Sequence, residues 1–319
     1  MTIALIGAGA AGAACVSVLR TRRADFCVFE KSRGVGGRMC TRRVADVIPD
    51  HNLFFNHGCP SFELTSEIRK KLSLIIGPET MRQVNNNEWV SVPTMPQLIK
   101  DLIGSTEIKT QCEIDAVRGE PGNWYLIEKQ KDPNQAPRQH GPFQKVVLTA
   151  PAPQALNLLR NLEHNWACPL KEVQYSSCWV LLKTIRHNPN IKFLPSRVFS
   201  SIRPQKFSPD DTHFNNISSW IAYTEPTWSH RNLELEAGEI LEILSEEFFK
   251  VLNDGRPDVL YSNVHRWRYA QVTQSLKIPF LYDSSESLFY VSDSCLGNGI
   301  EGALSSGLEV GTYLCDNLR

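Results

Sequence analysis

The chain has 319 residues, of which 42% are hydrophobic, 21% charged and 9% aromatic, and this make-up excludes disorder as a description of the whole. Thirty-four Lys+Arg balance thirty-four Asp+Glu, so no bulk positive field exists to hold nucleic acid or an acidic membrane surface. No apolar run approaches the roughly 20 residues that span a bilayer and no basic leader opens the chain, which leads to the expectation of a soluble, cytoplasmic protein.

Taken in chain order, Thr2 to Ile6 predicts a strand, Ala10 to Arg22 an alanine-rich helix, and Asp25 to Glu30 a second strand. Between the first strand and the helix lies Gly7-Ala8-Gly9-Ala10-Ala11-Gly12, a G-x-G-x-x-G in the position its mechanism requires. Gly7 takes the tight turn, Gly9 lets the backbone approach a pyrophosphate, and Gly12 lets the helix pack on the strand. The helix N-terminus then offers amides and a partial positive charge to the phosphates. Glu30, ending the second strand, stands where a carboxylate accepts hydrogen bonds from the adenosine ribose and repels a 2′-phosphate. Its plain alternative is a strand-end carboxylate facing water. Next comes a second glycine loop, Gly34-Val35-Gly36-Gly37-Arg38, which a simple nicotinamide dehydrogenase does not need.

Further along, Thr110 to Val117 and Trp124 to Glu128 predict strands joined through Gly119, Pro121 and Gly122, and Lys129 to Pro142 predicts a surface loop. Lys145 to Thr149 reads as a buried strand and Gln154 to Leu162 as a helix. Longer, aromatic-rich strands follow at Cys178 to Ile185, Ile217 to Tyr223 and Asn263 to Trp267, with one amphipathic helix at Ala237 to Leu252. Leu288 to Ser292 returns to a short apolar strand, followed by a helix from about Gly299 to Leu314. Nine scattered cysteines with no C-x-x-C pair, and eight histidines without ligand spacing, point to reduced thiols and no metal.

The run Glu30-Lys31-Ser32-Arg33-Gly34-Val35-Gly36-Gly37-Arg38 resembles the E-x5-G-G-R extension of the flavin amine oxidase superfamily. Within that superfamily the chain resembles renalase and its bacterial relatives. Residues 36–43 look like the family's GGRMxTRR, residues 146–154 like its second cofactor strand, and Tyr175-Ser176-Ser177-Cys178-Trp179 like the opening of its substrate domain. His265-Arg266-Trp267-Arg268-Tyr269-Ala270 looks like its WRYA-type strand, and residues 292–303 like its terminal GDxCxxxRVEGA segment. Departures are visible. Phe55-Asn56-His57-Gly58-Cys59-Pro60-Ser61-Phe62 stands where the family has an FDHGAQYF-like segment, Ser292 stands before Asp293 in place of Gly, and Gly299 stands in place of an Arg.

The resemblance implies an α/β fold of the amine oxidase, p-hydroxybenzoate hydroxylase type, in which a Rossmann-type FAD-binding domain carries a second, mixed-sheet α+β substrate domain. Residues 1–62, 93–158 and 283–319 are expected in the first, and 63–92 and 159–282 in the second. It implies non-covalent FAD held by Gly7, Gly9, Ala10, Ala11, Gly12, Glu30, Lys31, Arg33, Gly36, Gly37, Arg38, Met39, His57, Gly58, Ile114, Ala150, Pro151, Asp293, Ile300, Glu301 and Ala303. Asp293 would meet the ribityl or phosphate region and Ile114 the adenine. The helix near Gly299 would stabilise negative charge on the reduced flavin.

The implied activity is that of an FAD-dependent oxidase. It would take a hydride from isomeric dihydronicotinamide dinucleotides and reduce O2 to H2O2. An amine oxidase or desaturase of the same superfamily, or an FAD-binding protein with little turnover, are the alternatives. His57, Trp220, Trp267 and Tyr269 are expected as pocket walls, with core packing the alternative for the aromatics and a satisfied structural role for His57. Cys59 reads as a small buried filler.

Overall fold

The computed structural model describes residues 2–49, 51–130, 132, 134–186, 192–205, 216–252 and 255–317. It divides into two compact units. One comprises Met1–Met39, Ser61–Gln174 and Val272–Arg319, the other Cys40–Pro60 and Tyr175–Gln271. The segment 63–92, expected in the substrate domain, thus falls in the first unit, and 40–60 falls in the second.

The first unit is built on a six-stranded sheet in the order Leu281–Tyr282, Leu288–Tyr290, Lys145–Leu148, Thr2–Ile6, Asp25–Phe29, Ile108–Lys109. All neighbours run parallel except the edge pair Leu281–Tyr282 and Leu288–Tyr290. Residues 3–5 of the first strand are fully buried, as a parallel strand covered on both faces should be. From Thr2–Ile6 the chain crosses through the helix Ala10–Thr21 to Asp25–Phe29 on one side, while Lys145–Leu148 lies on the other. The strand order therefore reverses at Thr2–Ile6, and its carboxyl end opens the crevice where such sheets bind ligands.

The helix Gly299–Asp316 packs against Ala10–Thr21 at unusually close range, and small residues are the reason. A methyl added at Gly307 would lie 2.2 Å from the Ala11 carbonyl oxygen and 2.8 Å from Ala14 Cβ. One added at Gly311 would lie 2.9 Å from Val18 Cβ. Two smaller antiparallel sheets complete the unit: Gln139–Phe143, Asn123–Glu128 and Ile114–Glu120 form one, Phe62–Glu63, Glu88–Ser91 and Met81–Asn85 the other. The first of these corrects two expectations. The presumed loop ending at Pro142 contains a strand, and the strand expected from Thr110 begins at Ile114.

The second unit centres on a four-stranded sheet ordered Phe199–Gln205, Ile217–Thr224, Gln174–Arg186, Asp258–Gln274. Alternation along the strands sorts its side chains onto two faces. Trp179, Leu181, Ile185, Trp220, Ala222 and Val264 pack beneath the helix Ala237–Val251 through Ile240, Leu244 and Phe248. On the opposite face Val180, Leu182, Ile217 and Ile221 pack against Ile48, Leu53 and Phe55 of the Arg42–Ile48/His51–Phe55 hairpin. Lys183, on the helix side, is 1% exposed and donates to Ser245 Oγ and Ser262 Oγ. Burial pulls its ammonium down to about 8.

Candidate functional site

At the crevice, Gly7 has φ +112°, a conformation that suits glycine, and a Cβ there would sit 2.3 Å from Thr149 Oγ1. That threonine holds the turn by donating to the Ile6 and Gly7 carbonyls. A Cβ on Gly12 would lie 2.2 Å from the Gly7 carbonyl oxygen, so this glycine permits the helix to meet the strand. Gly9 is different in kind. It is the N-cap of the helix and provides no side-chain cap, and a Cβ there would meet nothing nearer than Gly37 Cα at 4.0 Å. Gly36 N donates to the Ala8 carbonyl at 2.9 Å. The two glycine loops are thereby held face to face, and their wall at Gly9 and Gly37 carries no side chains. Amides in the first turn of a helix have no partner within it, and here they open onto that wall.

Glu30 does not face water. It is 6% exposed, its Oε2 accepts from Ala8 N and its Oε1 from Ser32 N, both at 2.8 Å. The carboxylate thus clamps the first glycine turn to the start of the second loop and keeps further lone pairs for a ribose hydroxyl. A buried acid at the strand end, an uncapped 12-residue helix and a glycine cradle form the donor and acceptor set that a dinucleotide requires. The residues present fit such a group.

The other expected cofactor residues of the first unit are spread around this crevice. Arg38 and Asp293, 255 positions apart, form a two-pronged ion pair at 2.7 and 2.6 Å, with Asp293 1% exposed. Lys31 and Arg33 are exposed, Met39 and Ile114 are buried, and Ala150 and Pro151 are half-buried after the Lys145–Leu148 strand. Ile300 and Ala303 are buried in the first turns of the last helix, while Glu301 Oε1 accepts from Thr65 N at 2.6 Å. Glu301 therefore ties the last helix to the cap of the helix Ser66–Leu72.

The expected pocket residues lie in the second unit, where His57 and Trp267 meet and Trp220 and Tyr269 stand apart from them. Trp220 is a correction: it sits on the helix-covered face, packs edge-on against Phe193, and donates Nε1 to Ser218 Oγ. Trp267 belongs to the opposite face, and its Nε1 donates to the His57 carbonyl at 2.9 Å. His57, His265 and Trp267 rings meet with centroids 4.4 to 5.6 Å apart. Tyr269 pairs instead with Tyr175 at 5.2 Å, and Gly58 and Cys59 are half-buried beside His57 in sequence. Sequence reasoning overlooked His265 and Cys40, although the alternation of His265 with Trp267 along one strand was a usable signal.

The protonation of this cluster follows from its geometry. His57 Nδ1 lies 3.2 Å from the Phe55 carbonyl oxygen, which can only accept, so Nδ1 carries the proton and Nε2 faces Cys40 Sγ at 3.5 Å as an acceptor. Burial pulls His57 down to about 4, with the Phe55 bond opposing and the Arg42 charge assisting. Burial also lowers His265 to about 4, assisted by His57 and Arg42, and raises the Cys40 thiol to about 11. Cys40 and His57 are consequently a neutral thiol and a neutral imidazole at pH 7, not a thiolate–imidazolium pair.

Residues 5–73 match the NAD(P)-binding Rossmann-like domain. The whole chain superposes on a candidate protoporphyrinogen oxidase from Exiguobacterium sp. 255-15, with TM-score 0.66 and 10% identity over 98% of each chain. At this identity the likeness is one of fold. An oxidoreductase from Methanosarcina mazei gives TM-score 0.63 at 14% identity, covering 97% of this chain and 99% of that one. A putrescine oxidase redesigned in its cofactor binding gives 0.60 at 11% identity, covering 99% and 100%. The architecture expected from the sequence, a Rossmann-like domain with an additional sheet domain, agrees with this. No helix among the described residues is long and apolar enough to cross a membrane.

Proposed function

We propose that this chain is an FAD-dependent oxidoreductase of the renalase-like kind, oxidising isomeric dihydronicotinamide dinucleotides with O2 as acceptor. The observation that carries the reading is the pair of glycine loops locked face to face with buried Glu30 behind them. A nicotinamide dinucleotide alone needs one such loop, whereas the second, which resembles the E-x5-G-G-R extension of the flavin amine oxidases, supports FAD. FAD, held by the two glycine loops and Glu30, would supply a hydride acceptor that O2 can reoxidise, with H2O2 as the product.

The chain's own residues bind and orient. First-turn amides of Ala10–Thr21 hold phosphate oxygens, Glu30 accepts from the ribose, and its negative charge disfavours a 2′-phosphate at the same place. Asp293 keeps Arg38 fixed in position. His57, Trp267 and Tyr269 are the substrate contacts in this reading. A dihydropyridine is already a hydride donor that gains aromaticity on oxidation, so it asks for stacking and orientation rather than a strong base. The neutral His57–His265–Trp267 cluster suits that demand.

Amine oxidation is the second reading, favoured by the fold shared with a putrescine oxidase. Anaerobic mixing of the purified yellow protein with both donor classes separates the two. Loss of the visible flavin band with isomeric dihydronicotinamides, and H2O2 on admitting air, is expected. Bleaching by amines alone would transfer the assignment to the second reading, and a colourless protein after reconstitution with FAD would remove both.

A further inference from the structure

Cys112, Glu128 and His140 are far apart in sequence and belong to no motif, yet one ligand atom of each lies within 4.8 Å of the other two. His140 Nε2 is 3.7 Å from Cys112 Sγ and 3.3 Å from Glu128 Oε2. The same ring nitrogen faces both partners. A relay in which the carboxylate orients the imidazole and the imidazole activates the thiol would use both nitrogens, so the arrangement is not a nucleophile triad. A single cation set among three lone-pair donors accounts for their convergence. Zinc bonds of about 2.3 Å to sulfur and about 2.0 to 2.2 Å to nitrogen and oxygen set tetrahedral edges of roughly 3.6 Å for S···N and 3.4 Å for N···O. The two observed separations fall within about 0.1 Å of these edges.

From these distances we propose that Cys112, Glu128 and His140 form a three-ligand zinc site in the first unit, with water in the fourth position. The scaffold is stiff where it must be. Glu128 and His140 come from adjacent antiparallel strands, in which Leu126 is paired with His140. The His140 ring rests on Phe29 with centroids 5.0 Å apart, and Cys112 N donates to the Glu30 carbonyl at 3.0 Å. Cys112 is 7% exposed, while the Glu128 and His140 side chains are 13% and 20% exposed, leaving an entry path from solvent. As the Zn–S bond forms, the thiol proton of Cys112 leaves to solvent, and the ion loses all but one of its waters. The mixed sulfur, nitrogen and oxygen set suits zinc better than magnesium or calcium, which take oxygen ligands.

The test uses the full, untagged chain, stripped with a chelator, dialysed, and titrated with ZnCl2 while bound metal is measured by mass spectrometry. One zinc per chain is expected. Cys112→Ser and His140→Gln should each weaken binding tenfold or more, while Cys168→Ser, at an exposed cysteine, should leave it unchanged. Titration with Co2+ should add a thiolate-to-cobalt charge-transfer band that Cys112→Ser removes. Circular dichroism of each stripped variant, matched to the parent, separates lost ligation from lost folding. Sub-stoichiometric zinc in the parent, or equal binding by Cys112→Ser, would show that the three groups are only hydrogen-bonded to one another.

Discussion

Glu30 shows how one side chain can serve both the fold and the ligand. Because its two oxygens hold Ala8 N and Ser32 N, Glu30→Ala leaves two amides unpartnered as well as removing a ribose acceptor. The buried Ala8 amide, once orphaned, costs about 1–3 kcal/mol, whereas water can replace the partner of the exposed Ser32. The variant is therefore expected to lose both retention of the proposed FAD and a measurable part of apoprotein stability, whereas a carboxylate that met the ribose alone would have affected retention only. Thermal melts of the stripped protein distinguish the two. The position of Glu30 was legible because strand, glycine turn and acid follow one another at short range. Its burial was not, because the partner amides belong to two different loops. Trp220 failed for a related reason: its strand was correctly foreseen, but only pairing with a neighbour fixes which face of a sheet a residue takes.

His57 and His265 give a second prediction at this scale. In the unfolded chain a histidine titrates near 6.5, whereas in the fold both are held at about 4 by burial. Between those values the unfolded state binds more protons, so stability is complete above about pH 6.5 and declines as pH falls toward 4. Denaturant midpoints at pH 7 and pH 5 measure this, and the double variant His57→Gln/His265→Gln should flatten the dependence. A slope identical to the parent's would contradict the argument.

Among elements, the glycines separate into those that make room for a ligand and those that make room for the protein. Gly9→Val meets nothing closer than Gly37 Cα from its Cβ, so the variant is expected to fold and yet fail to take up the proposed FAD, giving a colourless protein with parental circular dichroism. Gly307→Ala should do the reverse. Its methyl would press on the Ala11 carbonyl, and over-packing of this sort costs about 1–3 kcal/mol, read as a lowered denaturant midpoint with cofactor binding retained in the folded fraction. The helices at both ends of the chain were visible in sequence through their periodicity. The Arg42–Ile48 strand and the Gln139–Phe143 strand were not, since exposed charges break alternation in one and Gly141-Pro142 imitates a turn in the other. The convergence of Cys112, Glu128 and His140 was likewise hidden, because sheet pairing brings Glu128 near His140 while Cys112, outside any strand, is placed by its bond to the Glu30 carbonyl.

For the molecule as a whole, the first unit draws on three stretches of sequence and the second on two. Leu288–Tyr290 adds a strand to the central sheet and Gly299–Asp316 covers its first helix. Ending the chain at Gln271 should therefore abolish dinucleotide binding and unfold the first unit rather than trim a dispensable tail. Limited proteolysis of the shortened chain would show rapid cleavage within residues 2–39, and protection there equal to the parent's would refute the expectation. The close fit of the last helix onto the first also bears on biogenesis. A ribosome adding roughly 5–20 residues per second emits the amino-terminal glycine turn on the order of tens of seconds before the helix that seals it. Throughout that interval the nascent strand–turn–helix has no lid over its alanine face, so capture of the nucleotide waits until Gly299–Asp316 has emerged and packed, and chaperone occupancy should be greatest on chains stalled just short of Gly299.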